Sequence, residues 1–154
     1  MKKHLLAAAL AMATLGYSAS GIAAETGTIT VFKSPYCGCC EVWTKAVEKA
    51  GYNVIVRNMD DLETIKKQAG VPSEMEGCHT AILNGPKTYV LEGHVPLEAI
   101  DKLRAETPDI AGLAVPGMPD GSLGMDYDPD ARYTVYAFSP VPSTPPTVFF
   151  EAGK

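Results

Sequence analysis

The stretch Ser34-Pro35-Tyr36-Cys37-Gly38-Cys39-Cys40 puts three thiols within four residues. Cys37 and Cys40 have the C-x-x-C spacing of a redox pair, able to cycle between dithiol and disulfide. Cys39 fills a position that a simple redox pair leaves without sulfur, and a third thiol would interfere with two-thiol exchange. Converging thiolates suit soft or borderline ions: Cu(I), zinc or an iron–sulfur cluster. Zinc would need a fourth ligand and usually has paired Cys or Cys/His arms, and iron–sulfur sites use longer cysteine runs. The residues therefore leave disulfide chemistry and soft-metal chemistry both open, with Cys37 and Cys40 as the candidate redox pair in either case.

Other soft donors lie downstream. Cys78 and His79 are adjacent, His94 sits in Gly93-His94-Val95-Pro96, and Met118 and Met125 fall in a Gly/Pro-rich segment with no amphipathic period. A thioether is soft, carries no proton and forms no disulfide, so an exported protein can use it for Cu(I) without the redox hazard of a thiol. Each donor has a bland alternative. Cys78 could close a structural disulfide with a loop cysteine, the methionines could be core filler, and His94 could be an exposed loop residue. The acidic run from Asp126 to Asp130 lacks the spaced ligands of a calcium loop and reads as a solvated turn.

The elements that must position these groups follow from periodicity. Thr28 to Lys33 is β-branched and alternating, which predicts a strand directly before the cysteine loop. From Glu41 to Ala50, Val42, Ala46, Val47 and Ala50 recur at helical spacing, and Gly51 is a stop. Cys37 then stands at a helix N-terminus, where free N–H groups and the helix dipole favour a thiolate, with Cys40 in the first turn as its resolving partner. Tyr52 to Arg57 predicts a second strand, and Asp60 with Glu63 predicts a capping box on a helix ended by Gly70. A third strand over Ala81-Ile82-Leu83, turn chemistry at Asn84-Gly85-Pro86 and a fourth strand over Thr88 to Glu92 predict a hairpin. Pro96 opens a helix whose apolar face is Leu97, Ile100 and Leu103. Beyond Pro108 the pattern predicts loop or tail, one further strand over Tyr133 to Phe138 at an edge, and an irregular stretch from Pro140 to Pro146.

The 154 residues suit a single domain with a proper core. Residues 1–24 run basic, apolar, then small, the order of a secretory signal peptide, and the apolar run is short for a retained membrane anchor. Loss of Lys2 and Lys3 would reduce 13 basic residues to 11 against 18 acidic ones, net −7. An acidic chain without a basic cluster argues against nucleic acid and anionic membrane surfaces as partners. Export would also expose the cysteines to an oxidising compartment.

The βαβα then ββα order, with C-x-x-C between the first strand and first helix, resembles the thioredoxin fold, so the expectation is an α/β, thioredoxin-like domain over 25–107 and a C-terminal extension over 108–154 packed on it. Cys37-Gly38-Cys39-Cys40 resembles a thioredoxin Cys-Gly-Pro-Cys with sulfur in place of proline. His79 stands where such folds usually carry a cis-proline facing the cysteines. Together with Gly77-Cys78-His79-Thr80-Ala81, Glu92-Gly93-His94-Val95-Pro96 and the run from Gly112 through Met118 to Met125, these motifs are similar to those of the exported CopG-type copper-resistance family. That resemblance implies a periplasmic copper protein whose extension helps bind the metal. It gives the ligand role to Cys37, Cys39, Cys40, Cys78, His94, Met118 and Met125, with His79 an additional candidate. It also implies copper detoxification and redox cycling. With four sulfurs and few other ligands, the expectation is a site that bridges more than one Cu(I) and interconverts Cu(I) and Cu(II), in a monomer working with copper export or chaperone proteins. A metal-free thiol–disulfide oxidoreductase and a redox-inactive copper carrier are the competing functions.

Overall fold

The computed structural model describes residues 27–141 and 143–153, so the expected signal segment lies outside the described residues. Strands β1 (Thr28–Lys33) and β2 (Asn53–Asn58) flank helix α1 (Gly38–Lys49), and helix α2 (Glu63–Gln68) and a single 3₁₀ turn (Ser73–Met75) follow. The hairpin β3 (Thr80–Asn84) and β4 (Tyr89–Gly93), then helix α3 (Leu97–Glu106), complete the expected βαβαββα order. Three more strands, β5 (Gly112–Val115), β6 (Thr134–Phe138) and β7 (Thr147–Glu151), finish the chain. All seven strands form one sheet in the order β2-β1-β3-β4-β5-β6-β7. β1 runs parallel to β2 and antiparallel to β3, and β3 pairs antiparallel with β4. The protein is thus α/β, and its first four strands are compatible with a thioredoxin-like core.

The sheet buries its two faces unequally. On one face Ile29 and Val31 of β1, Leu91 of β4 and Leu113 of β5 meet Trp43 and Val47 of α1 and Ile100 and Leu103 of α3 in the main core. On the other, Val90, Ala114 and Phe138 pack with Val71 in a smaller cluster. Trp43 is fully buried and donates its indole N–H to the Val95 carbonyl at 2.8 Å. That bond fixes the start of α1 against the residue after His94.

Several expectations need correction. The buried face of α1 runs through Cys40, Trp43, Thr44 and Val47, whereas Val42 is exposed. The helix begins three residues earlier than its apolar repeat suggested, because Cys37 caps it: its sulfur accepts the Cys40 N–H at 3.4 Å. No capping box forms at Asp60; the residue before α2 is Leu62, and Asp61 Oδ1 accepts the Glu63 N–H at 2.8 Å. The segment after Pro108 is not loop or tail throughout, since Gly112–Val115 is a strand buried at every position. The strand over 134–138 is also not at an edge, because β7 pairs outside it.

Candidate metal centre

The turn from β1 into α1 sets the first arm of the site. Cys40 is fully buried, whereas Cys37 and Cys39 are partly exposed, and Cys37 and Cys40 are joined in a disulfide. Cys39 and Cys78 are free thiols. The alternative of a structural disulfide from Cys78 therefore does not hold. Cys39 Sγ lies 3.4 Å from Cys37 Sγ, 4.0 Å from Cys78 Sγ and 4.0 Å from the Met118 sulfur. Cys78 Sγ is also 3.4 Å from Cys40 Sγ. All four cysteine sulfurs fall within 4.8 Å of one another.

The second arm is the loop before β3. Cys78 and the neighbouring His79 and His94 offer ligand atoms that again all lie within 4.8 Å of one another. His94 Nε2 is 3.1 Å from Cys78 Sγ, and its Nδ1 is 3.1 Å from the Ser122 hydroxyl. Ser122, itself buried, orients the ring from behind as an outer-sphere partner does for a ligating imidazole. His94 is buried, not exposed. His79 Nδ1 is 3.5 Å from Cys78 Sγ, its ring lies 4.5 Å from that of Trp43, and its buried Nε2 has no hydrogen-bond partner among the described residues. No cis peptide bond occurs among the described residues, so His79 takes the position ahead of β3 in the trans form.

Two close backbone approaches make this convergence possible. A Cβ on Gly77 would stand 2.6 Å from the Gly93 Cα, so the residues before Cys78 and before His94 meet where no side chain fits. Gly77 also bridges to Gly117, which brings the residue before Met118 alongside. Gly124 has φ of +110°, and a Cβ there would lie 2.7 Å from the Cys39 carbonyl oxygen. The extension thus lies directly over the cysteine turn. Met118 reaches the cluster at its mouth and is half exposed, while Met125 is carried one residue beyond Gly124, its N–H bonded to the Ser122 carbonyl at 2.7 Å. The geometry gathers Cys37, Cys39, Cys40, Cys78, His79, His94 and Met118; Met125 is placed by its loop, with no sulfur contact among the described residues.

Beneath the Cys78 loop lies a group that sequence reasoning missed. Lys66 of α2 and Glu92 of β4 are both buried and form an ion pair. Lys66 Nζ also donates to the Gly77 carbonyl at 3.0 Å and lies 3.3 Å from Thr80 Oγ1. Glu92 accepts from the Gly77 N–H at 2.8 Å and from the Thr80 hydroxyl at 2.6 Å. The pair therefore clasps the residues on both sides of Cys78 and His79. Only the paired register of Thr80 with Glu92 could have suggested it.

Above that ion pair, burial keeps Cys78, His79 and His94 uncharged. Burial, with the Cys39 charge added, pushes the Cys78 thiol up to about 12. Burial, aided by His94 and Lys66, pushes His79 down to about 3, and burial also lowers His94. Both imidazoles are neutral near pH 7, the form that can offer a lone pair to a metal. The donor set is soft sulfur with neutral nitrogen, which fits copper, and a bound cation would displace the Cys78 proton.

Comparison with known proteins agrees with this chemistry. Residues 75–125 match the model of DUF411, a protein family of unknown function. Among curated proteins none matches significantly. Two solved structures do. One, described as "Copper resistance protein copG- Form 1", is 38% identical with a TM-score of 0.72, over 84% of this chain and 100% of that one. The other, described as Form 2, is also 38% identical with a TM-score of 0.72, over 82% of this chain and 98% of that one. With that identity over that length, and with a cysteine cluster able to hold metal at the same junction of strand and helix that its motifs predicted, the chain belongs to the CopG-type copper-resistance family.

Proposed function

We propose that the protein is a periplasmic copper protein that takes Cu(I) as its cargo on Cys37, Cys39, Cys40 and Cys78, with His94 and Met118 completing the donor set and Met125 and His79 as further donors. The observation that carries this reading is the position of Cys39, whose sulfur lies within 4.0 Å of two other cysteines and of the Met118 thioether. A two-thiol oxidoreductase has no use for it. Four sulfurs this close allow each thiolate to serve two ions, so the site suits more than one Cu(I). Similarity to copper resistance proteins supports the same reading.

Copper uptake and thiol redox state are coupled here. The Cys37–Cys40 disulfide withdraws two of the four sulfurs, so full loading requires that bond to be reduced. In the opposite direction, the Cys37 and Cys40 dithiol can pass one electron to each of two Cu(II) ions, giving the disulfide, two Cu(I) and two protons. The protein would thereby change copper's oxidation state and hand Cu(I) to periplasmic export or chaperone proteins. Anaerobically reduced, metal-free protein is expected to take up Cu(I), measured by elemental analysis, and Cys39→Ser to lower the amount bound. Failure to bind, together with no effect of that substitution, overturns the proposal.

The closed Cys37–Cys40 bond favours a second reading, a metal-free thiol–disulfide oxidoreductase. It requires turnover of a dithiol substrate that survives Met118→Ala and Met125→Ala but is lost with Cys37→Ser. A simple copper carrier would bind Cu(I) yet show no reversible redox change in the absorption spectrum.

A further inference from the structure

Each sulfur of the Cys37–Cys40 disulfide has a free thiol in contact with it, Cys39 at 3.4 Å from Cys37 and Cys78 at 3.4 Å from Cys40. We propose that the disulfide migrates within the protein, with Cys78 attacking Cys40 and releasing Cys37, so that oxidised molecules pass to a Cys40–Cys78 bond. The proposal does not depend on copper and holds or fails in metal-free protein.

Accessibility and the leaving group both point to this step. Cys40 is fully buried, so an external thiol cannot reach its sulfur, whereas Cys78 already touches it from the loop before β3. In the reaction, the Cys78 thiolate forms a new bond to Cys40 Sγ as the Cys37–Cys40 bond breaks. The electron pair leaves on Cys37 Sγ, and the proton given up by Cys78 goes to solvent or to Cys37. No oxidant or reductant is consumed. The departing sulfur receives the Cys40 N–H, 3.4 Å away at the first turn of α1, so the charge it acquires is met by a donor already in place. Attack by Cys39 on Cys37 would instead leave the charge on buried Cys40 and close a ring across a single intervening residue.

The product differs from the starting form in where its thiols lie. The disulfide moves to the floor of the site, and Cys37 and Cys39 become free neighbours at the partly exposed rim, with Met118 4.0 Å from Cys39. Migration therefore opens the outer sulfurs to a soft ion or to a mixed disulfide while the protein remains at the same oxidation level.

The test uses Cys39→Ser protein, treated with chelator and oxidised to one disulfide, in which one thiol remains among three cysteines. After incubation near neutral pH it is pulsed with N-ethylmaleimide, quenched in acid and mapped by mass spectrometry. Uncatalysed disulfide rearrangements take minutes to hours, and with the Cys78 thiol raised to about 12 the slow end of that range is expected at neutral pH. The majority of the label is expected on Cys37, with a Cys40–Cys78 linked peptide. Label that stays on Cys78 over a day, label on Cys40, or a disulfide-linked dimer overturns the proposal. The same map on the unsubstituted protein, which carries two free thiols, guards against a folding defect: label on Cys37 supports migration, and label confined to Cys39 and Cys78 refutes it.

Discussion

Replacing Lys66 with Met should be among the most damaging single changes at a residue that offers no ligand atom to the site. Lys66 and Glu92 are both buried and share the Gly77 and Thr80 hydrogen bonds. Losing one partner of a buried ion pair leaves an uncompensated charge and costs about 3–5 kcal/mol. At about 3 °C per kcal/mol for a domain of this size, Tm should fall by roughly 10 °C. The sign of the pH effect is a sharper check. Burial already raises the Glu92 carboxyl despite the opposing Lys66 charge, and without Lys66 it rises further. A carboxyl raised in the folded state binds protons more tightly there than in the unfolded chain, so acid favours the folded state through this group. The deficit of Lys66→Met should therefore shrink between about pH 8 and about pH 5. The double variant Lys66→Met, Glu92→Gln removes both charges and should regain at least half of the loss, about 2 kcal/mol. Calorimetry on the metal-free protein gives all three quantities. A deficit below about 1 kcal/mol that is the same at every pH would refute the reasoning, since buried charges cannot behave in that way.

Other perturbations probe the remaining supports. Gly77→Ala places a methyl 2.6 Å from the Gly93 Cα, and should cost about 1–3 kcal/mol while parting Cys78 from His94; an unchanged urea midpoint would contradict that packing. Met118→Ala, at a half-exposed position, should alter stability by less than about 0.5 kcal/mol, yet weaken Cu(I) binding by up to about tenfold in competition with a chelator. His79 is held down to about 3, whereas the unfolded chain takes up this proton near 6.5, so acid drains stability between those values by about 1.4 kcal/mol per pH unit. His79→Leu should remove that much of the slope in denaturant titrations from about pH 6 to about pH 4, and an unaltered slope would argue against a neutral buried ring.

What the sequence made legible was local. The alternation of Thr28 to Lys33 and the C-x-x-C spacing placed the cysteine turn correctly between a strand and a helix. Chemistry-bearing types in odd surroundings, Cys78 beside His79 and Met118 among glycines and prolines, pointed to residues that the fold does gather. What stayed hidden depends on long-range packing. Gly112-Leu113-Ala114-Val115 has no alternation because every position is buried, so a strand of four residues looked like loop. The face of α1 was drawn one residue off because Val42 is apolar yet exposed, while Trp43 carries the packing. Lys66 and Glu92 read as surface charge, and their pairing exists only once α2 lies across β4. Ser122 gave no signal at all, being one hydroxyl in an irregular segment.

The meeting of Gly77 with Gly93 and Gly117 has a consequence for the order in which the protein matures. The sulfurs come from the start of α1, the loop before β3 and the turn after β5, and the imidazole of His94 from the end of β4. These segments converge only after the central strands have paired, and contacts between such distant parts of a chain form late in folding. A chain that is still folding would therefore offer a soft ion only the Cys37-to-Cys40 turn, a partial and weaker set of donors. Complete metal capture becomes a sign that the sheet has closed, so the same glycine contacts that shape the site also delay its competence until the fold is finished.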